Sequence, residues 1–177
     1  NHYLKHTPSS ARHHYELIRE GYPCHLYVDA EYETEYNTHI NDPEVLCTEL
    51  KPRIVAQLCT TFDNLEAEHI DIVELDASSS KKVSRHYVFH IPHALWQDNG
   101  HCDALIKAWH HQLYQAERRA QGLRPTRFGV TIKREEHGEV DVSLCKTTHL
   151  MVNTRHKKRG PVVTCFADLG VYSKNRV

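Results

Sequence analysis

Three short segments carry side chains suited to metal-assisted phosphoryl chemistry. Residues 25–31 read His-Leu-Tyr-Val-Asp-Ala-Glu and hold two carboxylates, Asp29 and Glu31. Residues 82–89 read Lys-Val-Ser-Arg-His-Tyr-Val-Phe and hold Lys82, Ser84 and His86. Residues 166–176 read Phe-Ala-Asp-Leu-Gly-Val-Tyr-Ser-Lys-Asn-Arg and hold a third carboxylate, Asp168, just before a glycine. Each spacing is that of one strand face, because residues i and i+2 point the same way, roughly 6.5 Å apart. Asp29 and Glu31 share a face, while Leu26, Val28 and Ala30 share the opposite, apolar one. Lys82, Ser84 and His86 likewise share a face, and Val83, Tyr87, Phe89 and Ile91 the other. Arg85 falls on that packing side and must reach a strand edge, a carboxylate or water. Together the groups suit two divalent ions and a nucleoside triphosphate.

Hard cations take oxygen ligands, and three carboxylates supply them. Two such ions stabilise both the attacking and the leaving oxygen of an in-line displacement. Asp29, Glu31 and Asp168 carry about −3, and a triphosphate adds roughly −4, so two ions offset only part of the charge. Lys82 and His86 are placed to offset more.

The order of the segments is similar to that of the primase-polymerase family, a eukaryotic-type branch of the archaeo-eukaryotic primase superfamily. Asp29-x-Glu31 resembles its first motif, Ser84-x-His86 its second, and Asp168 with the following Leu-Gly-Val-Tyr-Ser-Lys-Asn-Arg its third. The likeness takes in residues 12–31, 75–101 and 165–176, including His14-Tyr15-Glu16-Leu17-Ile18, Leu75-Asp76-Ala77-Ser78-Ser79 and Asp98-Asn99-Gly100-His101. It implies that Asp29, Glu31 and Asp168 are catalytic metal ligands for Mn²⁺ or Mg²⁺. It also implies that Lys82, Ser84 and His86 hold the triphosphate of an incoming nucleotide, with Lys174 and Arg176 as further candidates. The implied fold is α+β, with an RNA-recognition-motif-like module beside a smaller α/β module. The implied activity is template-directed: primers are made and DNA extended by two-metal nucleotidyl transfer, in replication restart and damage tolerance. Implied partners are template and primer DNA, nucleoside triphosphates and, through segments outside this chain, a single-stranded-DNA-binding protein. The implied setting is intracellular, in nucleus or mitochondrion for a eukaryotic protein.

Each functional reading has a plainer rival. Asp29 and Glu31 also suit a solvated strand end, since Glu33 and Glu35 continue the alternation. Asp168 also suits a turn at Gly170. A catalytically inactive relative that binds DNA or replication proteins is the alternative to the enzyme, and a metal-dependent nuclease is a third reading. The run Arg155-His156-Lys157-Lys158-Arg159 is read first as an exposed loop, and second as a phosphate contact through Arg155, Lys157, Lys158 and Arg159. Tyr27 and Tyr172 suit stacking on a base or packing within the fold. Of sixteen histidines only His86 is given a role.

At 177 residues the chain fits one domain, spanning 1–177. A net charge of −1 excludes a uniformly basic nucleic-acid binder, so any such surface is local. No apolar run nears the roughly 20 residues of a membrane span. Six cysteines without a Cys-x-x-Cys pair read as reduced, largely buried thiols. The first residue is Asn, and the family pattern continues Asn-Phe-Arg past Val177 and includes a zinc knuckle; the expectation is a catalytic core cut from a longer chain and poorly active alone.

The pattern predicts strands over 13–18, 24–32, 70–76, 84–91 and 161–167, and a hairpin of 127–133 with 139–145. It predicts a helix opening near Pro52 with a stripe of Ile54, Val55, Leu58, Phe62 and Leu65. A second helix is predicted from a cap at Asp98 or Asn99, with Leu105, Ile106, Trp109, Leu113 and Ala116 inward, ending near Gly122 and Pro125. Strands alternating with two helices point to α+β or α/β with a mixed sheet.

Overall fold

The computed structural model describes residues 18–19, 21–125, 140–156 and 160–172. Strand β1 (Leu26–Glu33) leads through a short 3-10 turn to helix α1 (Glu44–Thr61). Strands β2 (Asp71–Asp76) and β3 (Lys82–His90) and helix α2 (Asn99–Ala120) follow. Strands β4 (Met151–His156), β5 (Gly160–Cys165) and β6 (Ala167–Asp168) complete the set.

The α+β class expected from the sequence is the class observed. One sheet has the order β2-β3-β1-β6, and β4 pairs with β5 in a second. The sheet was expected to be mixed, yet every pairing among the described strands is antiparallel. The connections account for this: β2 turns back directly into β3, and β6 re-enters beside β1 running against it.

Alternation builds the larger sheet. Leu26, Val28, Ala30 and Tyr32 of β1 are buried, as are Val83, Tyr87 and Phe89 of β3. They join Leu46, Cys47, Leu50, Ile54 and Leu58 of α1 and Ile106 and Trp109 of α2 in one core. Arg85 enters this packing face and is held at the β2 edge. Its Nη2 lies 2.6 Å from Glu44 Oε1 and its Nε 3.5 Å from Glu74 Oε1, and Nη1 pairs with Asp76.

Helix α1 differs from expectation at its start. It opens at Glu44 and contains Pro52 rather than beginning there. Leu46, Cys47 and Leu50 extend the apolar stripe upstream, and their burial outweighs the backbone hydrogen bond that a proline cannot donate. Helix α2 matches its reading: Asp98 Oδ1 accepts the His101 N–H at 2.8 Å, and Gly122 takes a φ of +74° just past the end.

The expected hairpin of 127–133 with 139–145 is not what the described residues show. Residues 142–144 form a 3-10 turn, with Asp141 Oδ1 accepting the Ser143 N–H at 2.9 Å. The hairpin observed is β4 with β5. Residues 127–133, and 13–17 of the first predicted strand, lie outside the described residues.

Two polar anchors fix the second sheet against the first. Asn37 Nδ2 donates to Glu33 O at 3.0 Å and to Asn153 O at 2.8 Å, while its Oδ1 accepts from Asn153 N at 2.7 Å. Phe166 N donates to Leu150 O at 2.7 Å, just before β6. Glu117 of α2, fully buried, accepts from Thr147 Oγ1 at 2.6 Å and Lys146 N at 3.0 Å, which ties down the chain entering β4.

Candidate metal and nucleotide site

Strand pairing turns three distant segments into one row. Asp29 lies opposite His86 on β3 and opposite Asp168 on β6. Leu75 on β2 lies opposite His86, so the row reads Leu75, His86, Asp29, Asp168 across four strands. The next row pairs Glu31 with Ser84, and the one after pairs Glu33 with Lys82. Directly opposed residues point to one face with Cβ atoms roughly 5 Å apart. The six expected metal and triphosphate residues that are described, Asp29, Glu31, Asp168, Lys82, Ser84 and His86, therefore share the face turned away from the core.

The contacts within this patch are between opposite charges. His86 Nδ1 lies 3.0 Å from Asp29 Oδ1, and Lys82 Nζ pairs with Glu31 Oε2. The Asp29 carboxylate holds the His86 imidazolium above its ordinary range, against partial burial and the nearby Lys82. Asp168 Oδ1 accepts the Gly170 N–H at 2.8 Å, so this residue both starts the turn and faces Asp29.

One atom of the patch stands out. Asp29 Oδ1 is buried and no donor meets it with hydrogen-bond geometry, although His86 is within ion-pair distance. A buried anionic oxygen without a donor is costly, and a cation satisfies it. The carboxylate donor set suits a hard divalent ion. The three carboxylates are not drawn together as a closed cage: the cluster of potential ligand atoms lying within 4.8 Å of one another among the described residues is Glu66, Glu68 and His69, exposed and outside the row. Glu31 is engaged by Lys82, and Asp168 by the Gly170 N–H.

Other expected residues fall elsewhere. Ser84 is only 4% exposed, and its N–H donates to Ser78 Oγ at 3.0 Å, so residues 77–79 close over it. Glu33 ends β1, and Glu35 lies in the following 3-10 turn rather than on the strand face. Tyr172 is buried, donates its hydroxyl to Tyr27 O, and stacks 4.9 Å from the Tyr27 ring, which is the packing alternative. Arg155 is exposed on β4, in the second sheet. Lys157, Lys158, Arg159, Lys174 and Arg176 lie outside the described residues. A cleft of about 410 Å³ between residues 39–46 and 142–151 is lined by none of the row.

Sequence reasoning missed two features. One is the Lys82–Glu31 pair, which needs the β1–β3 register. The other is the exposure of Val73 and Leu75, whose signal was present as apolar alternation in β2.

A strand-borne row of carboxylates beside a strand carrying lysine, serine and histidine is a site able to take a divalent cation and a polyphosphate. No family model matches the chain. It is similar to curated proteins named DNA-directed primase/polymerase protein, in line with the motif resemblance. The Danio rerio protein is 28% identical over 178 residues, covering 99% of this chain and 32% of that relative. The Mus musculus protein is 29% identical over 181 residues, covering 96% of this chain and 33% of that relative. The Homo sapiens protein is 27% identical over 98 residues, covering 54% of this chain. The chain spans about a third of the length of the first two relatives.

Proposed function

We propose that the chain carries the nucleotidyl-transfer site of a template-directed DNA primase/polymerase. The observation that carries this reading is the row Asp168–Asp29–His86, with a buried Asp29 oxygen at its centre that faces His86 but meets no aligned donor among the described residues. Asp29, Glu31 and Asp168 would hold the divalent ions, Mg²⁺ or Mn²⁺, which when bound stabilise charge on the attacking and leaving oxygens. His86 and Lys82, each two residues along β3 from Ser84 and one row to either side of the Ser84–Glu31 pair, bring positive charge to the triphosphate side. Lys82 exchanges Glu31 for a phosphate oxygen, and His86 donates from its imidazolium. Lys174 and Arg176 belong to the same proposal as further cations, and the run from Arg155 to Arg159 as a backbone contact.

The substrates are nucleoside triphosphates on a DNA template and primer, and the biological setting is restart of synthesis past damage. An intracellular location, nucleus or mitochondrion, is part of this reading. Among the described residues no helix is long and apolar enough to cross a membrane.

The test is primer extension on a recessed template with Mn²⁺ and with Mg²⁺, using the chain restored to its full length, beside Asp29→Ala. Metal- and template-dependent growth that disappears in Asp29→Ala supports the reading. Growth unchanged in that variant removes the metal assignment, and absence of growth with DNA binding intact favours a non-catalytic relative.

A further inference from the structure

Two sulfur atoms meet on the core side of the larger sheet, away from the charged row. Cys24 Sγ lies 3.8 Å from Cys102 Sγ, across 78 positions of sequence. Cys24 precedes β1 with the parity of Leu26, Val28 and Ala30, the buried set. Cys102 sits in the opening turn of α2 and is fully buried, while Cys24 is 9% exposed. Both are reduced thiols and members of the apolar core. Cys102 Sγ also lies 3.8 Å from His25 O.

The backbone enforces this approach. Cys24 pairs with Trp96 in an isolated antiparallel bridge, with Cys24 N donating to Trp96 O at 3.1 Å and Trp96 N to Cys24 O at 2.8 Å. Two residues after Trp96, Asp98 caps α2, and Cys102 N donates to Asp98 O at 3.3 Å. The segment tied to Cys24 is thus the one that starts the helix carrying Cys102. A disulfide holds its sulfur atoms about 2.05 Å apart, so the pair closes by roughly 1.8 Å. Rotation about the Cα–Cβ bonds supplies displacements of that size. Burial and the neighbouring Cys24 thiol push the Cys102 thiol pKa well up. Cys102 is therefore a poor first nucleophile, and the half of the pair that reaches the surface is Cys24.

We infer that Cys24 and Cys102 form a peroxide-sensitive dithiol that closes to a reversible disulfide, stapling the entry of β1 to the start of α2. Hydrogen peroxide first oxidises the Cys24 sulfur to a sulfenic acid, as the O–O bond breaks and one water leaves. The Cys102 sulfur then attacks the Cys24 sulfur, the S–O bond breaks, and the hydroxyl departs as water with the Cys102 proton. Overall the two thiols lose two electrons and two protons, and one peroxide becomes two waters. A second thiol already in contact intercepts the sulfenic acid before further oxidation. Joining positions 78 residues apart restricts the unfolded chain, so the closed form is the more stable one. The pair lies on the sheet face opposite Asp29, Glu31 and His86, and the inference does not rest on the proposed enzyme activity.

The experiment treats the chain restored to its full length with a small excess of hydrogen peroxide, blocks the remaining thiols with iodoacetamide in denaturant, and maps peptides without reductant. The expected product is a peptide pair joined through Cys24 and Cys102, lighter by about 2 Da than the two reduced peptides together and separated again by dithiothreitol. Without reductant, the melting temperature should rise by roughly 5–10 °C on oxidation. That rise should be absent in Cys24→Ala and retained in Cys59→Ser, whose partly exposed thiol lies outside the pair. The peptide map uses the unaltered sequence, so it decides the matter even where a variant is destabilised. The inference is overturned if Cys24 and Cys102 are both alkylated after oxidation, if either carries a sulfinic acid in place of the cross-link, or if the cross-link forms with no rise in melting temperature.

Discussion

Asp29 and His86 face each other across β1 and β3 with Oδ1 and Nδ1 3.0 Å apart, so the central carboxylate of the row has a cationic neighbour before any metal arrives. On its other side stands Asp168, a second carboxylate. The pair is balanced on one flank and repelled on the other. A divalent ion bound there would relieve the repulsive flank.

Metal binding should therefore be readable without catalysis. Adding millimolar Mn²⁺ should raise the melting temperature of the unaltered protein by a few degrees through binding to the native state. Asp29→Asn should lose most of that rise. An equal rise in both proteins would place the ion elsewhere, with the exposed Glu66, Glu68 and His69 group as the first alternative.

His86→Ala should separate binding from chemistry. Loss of a charge-assisted hydrogen bond to a phosphate removes about 1.5–3 kcal/mol, which is roughly a 10- to 100-fold rise in the nucleotide KM. The extension rate at saturating nucleotide should fall much less. Steady-state primer extension with varied nucleotide measures both, and a collapse of kcat with KM unchanged would give His86 a different role.

Stability should fall in mild acid because of a residue far from the site. His110 on α2 is 1% exposed, and neither ring nitrogen has a hydrogen-bond partner among the described residues. Burial pushes its pKa down to about 3, against about 6.5 in an unfolded chain. The neutral form is favoured in the native state, so the full contribution is present above about pH 6.5 and is lost as pH falls towards 3. At pH 5 the loss is about 2 kcal/mol. Urea denaturation from pH 7 to pH 5 should show it, and His110→Leu should flatten that part of the profile.

Pro52 gives a stabilising variant. Proline in a helix interior is about 3 kcal/mol less favourable than alanine, and proline's restriction of the unfolded chain returns part of this. Pro52→Ala should therefore stabilise by about 1–2 kcal/mol. A lower denaturation midpoint would mean that the helix is bent at Pro52 to fit the sheet.

Much of this was legible in the sequence because alternation is local. The faces of β1 and β3, the cap of α2 at Asp98 and the placement of Leu26, Val28 and Ala30 in the core all follow from spacing within a few residues. Partnership across strands is not local. That Glu31 meets Lys82, and that Asp168 arrives beside Asp29, depends on a register no single segment contains. The start of α1 was missed because Pro52 carries a local signal that burial of Leu46 and Leu50 overrides. The β4–β5 hairpin was missed because its first strand, with Asn153, Thr154 and Arg155, lacks clean alternation.

Strand β6 is two residues long, and it brings Asp168 from near one end of the described chain to Asp29 near the other. So short a strand has little holding power of its own. An ion shared by these two carboxylates would act as a clasp between two segments far apart in the sequence. Folding would then be completed, and not merely followed, by loading of the cation, and the amide protons of β6 would be the ones to slow their exchange when it is present.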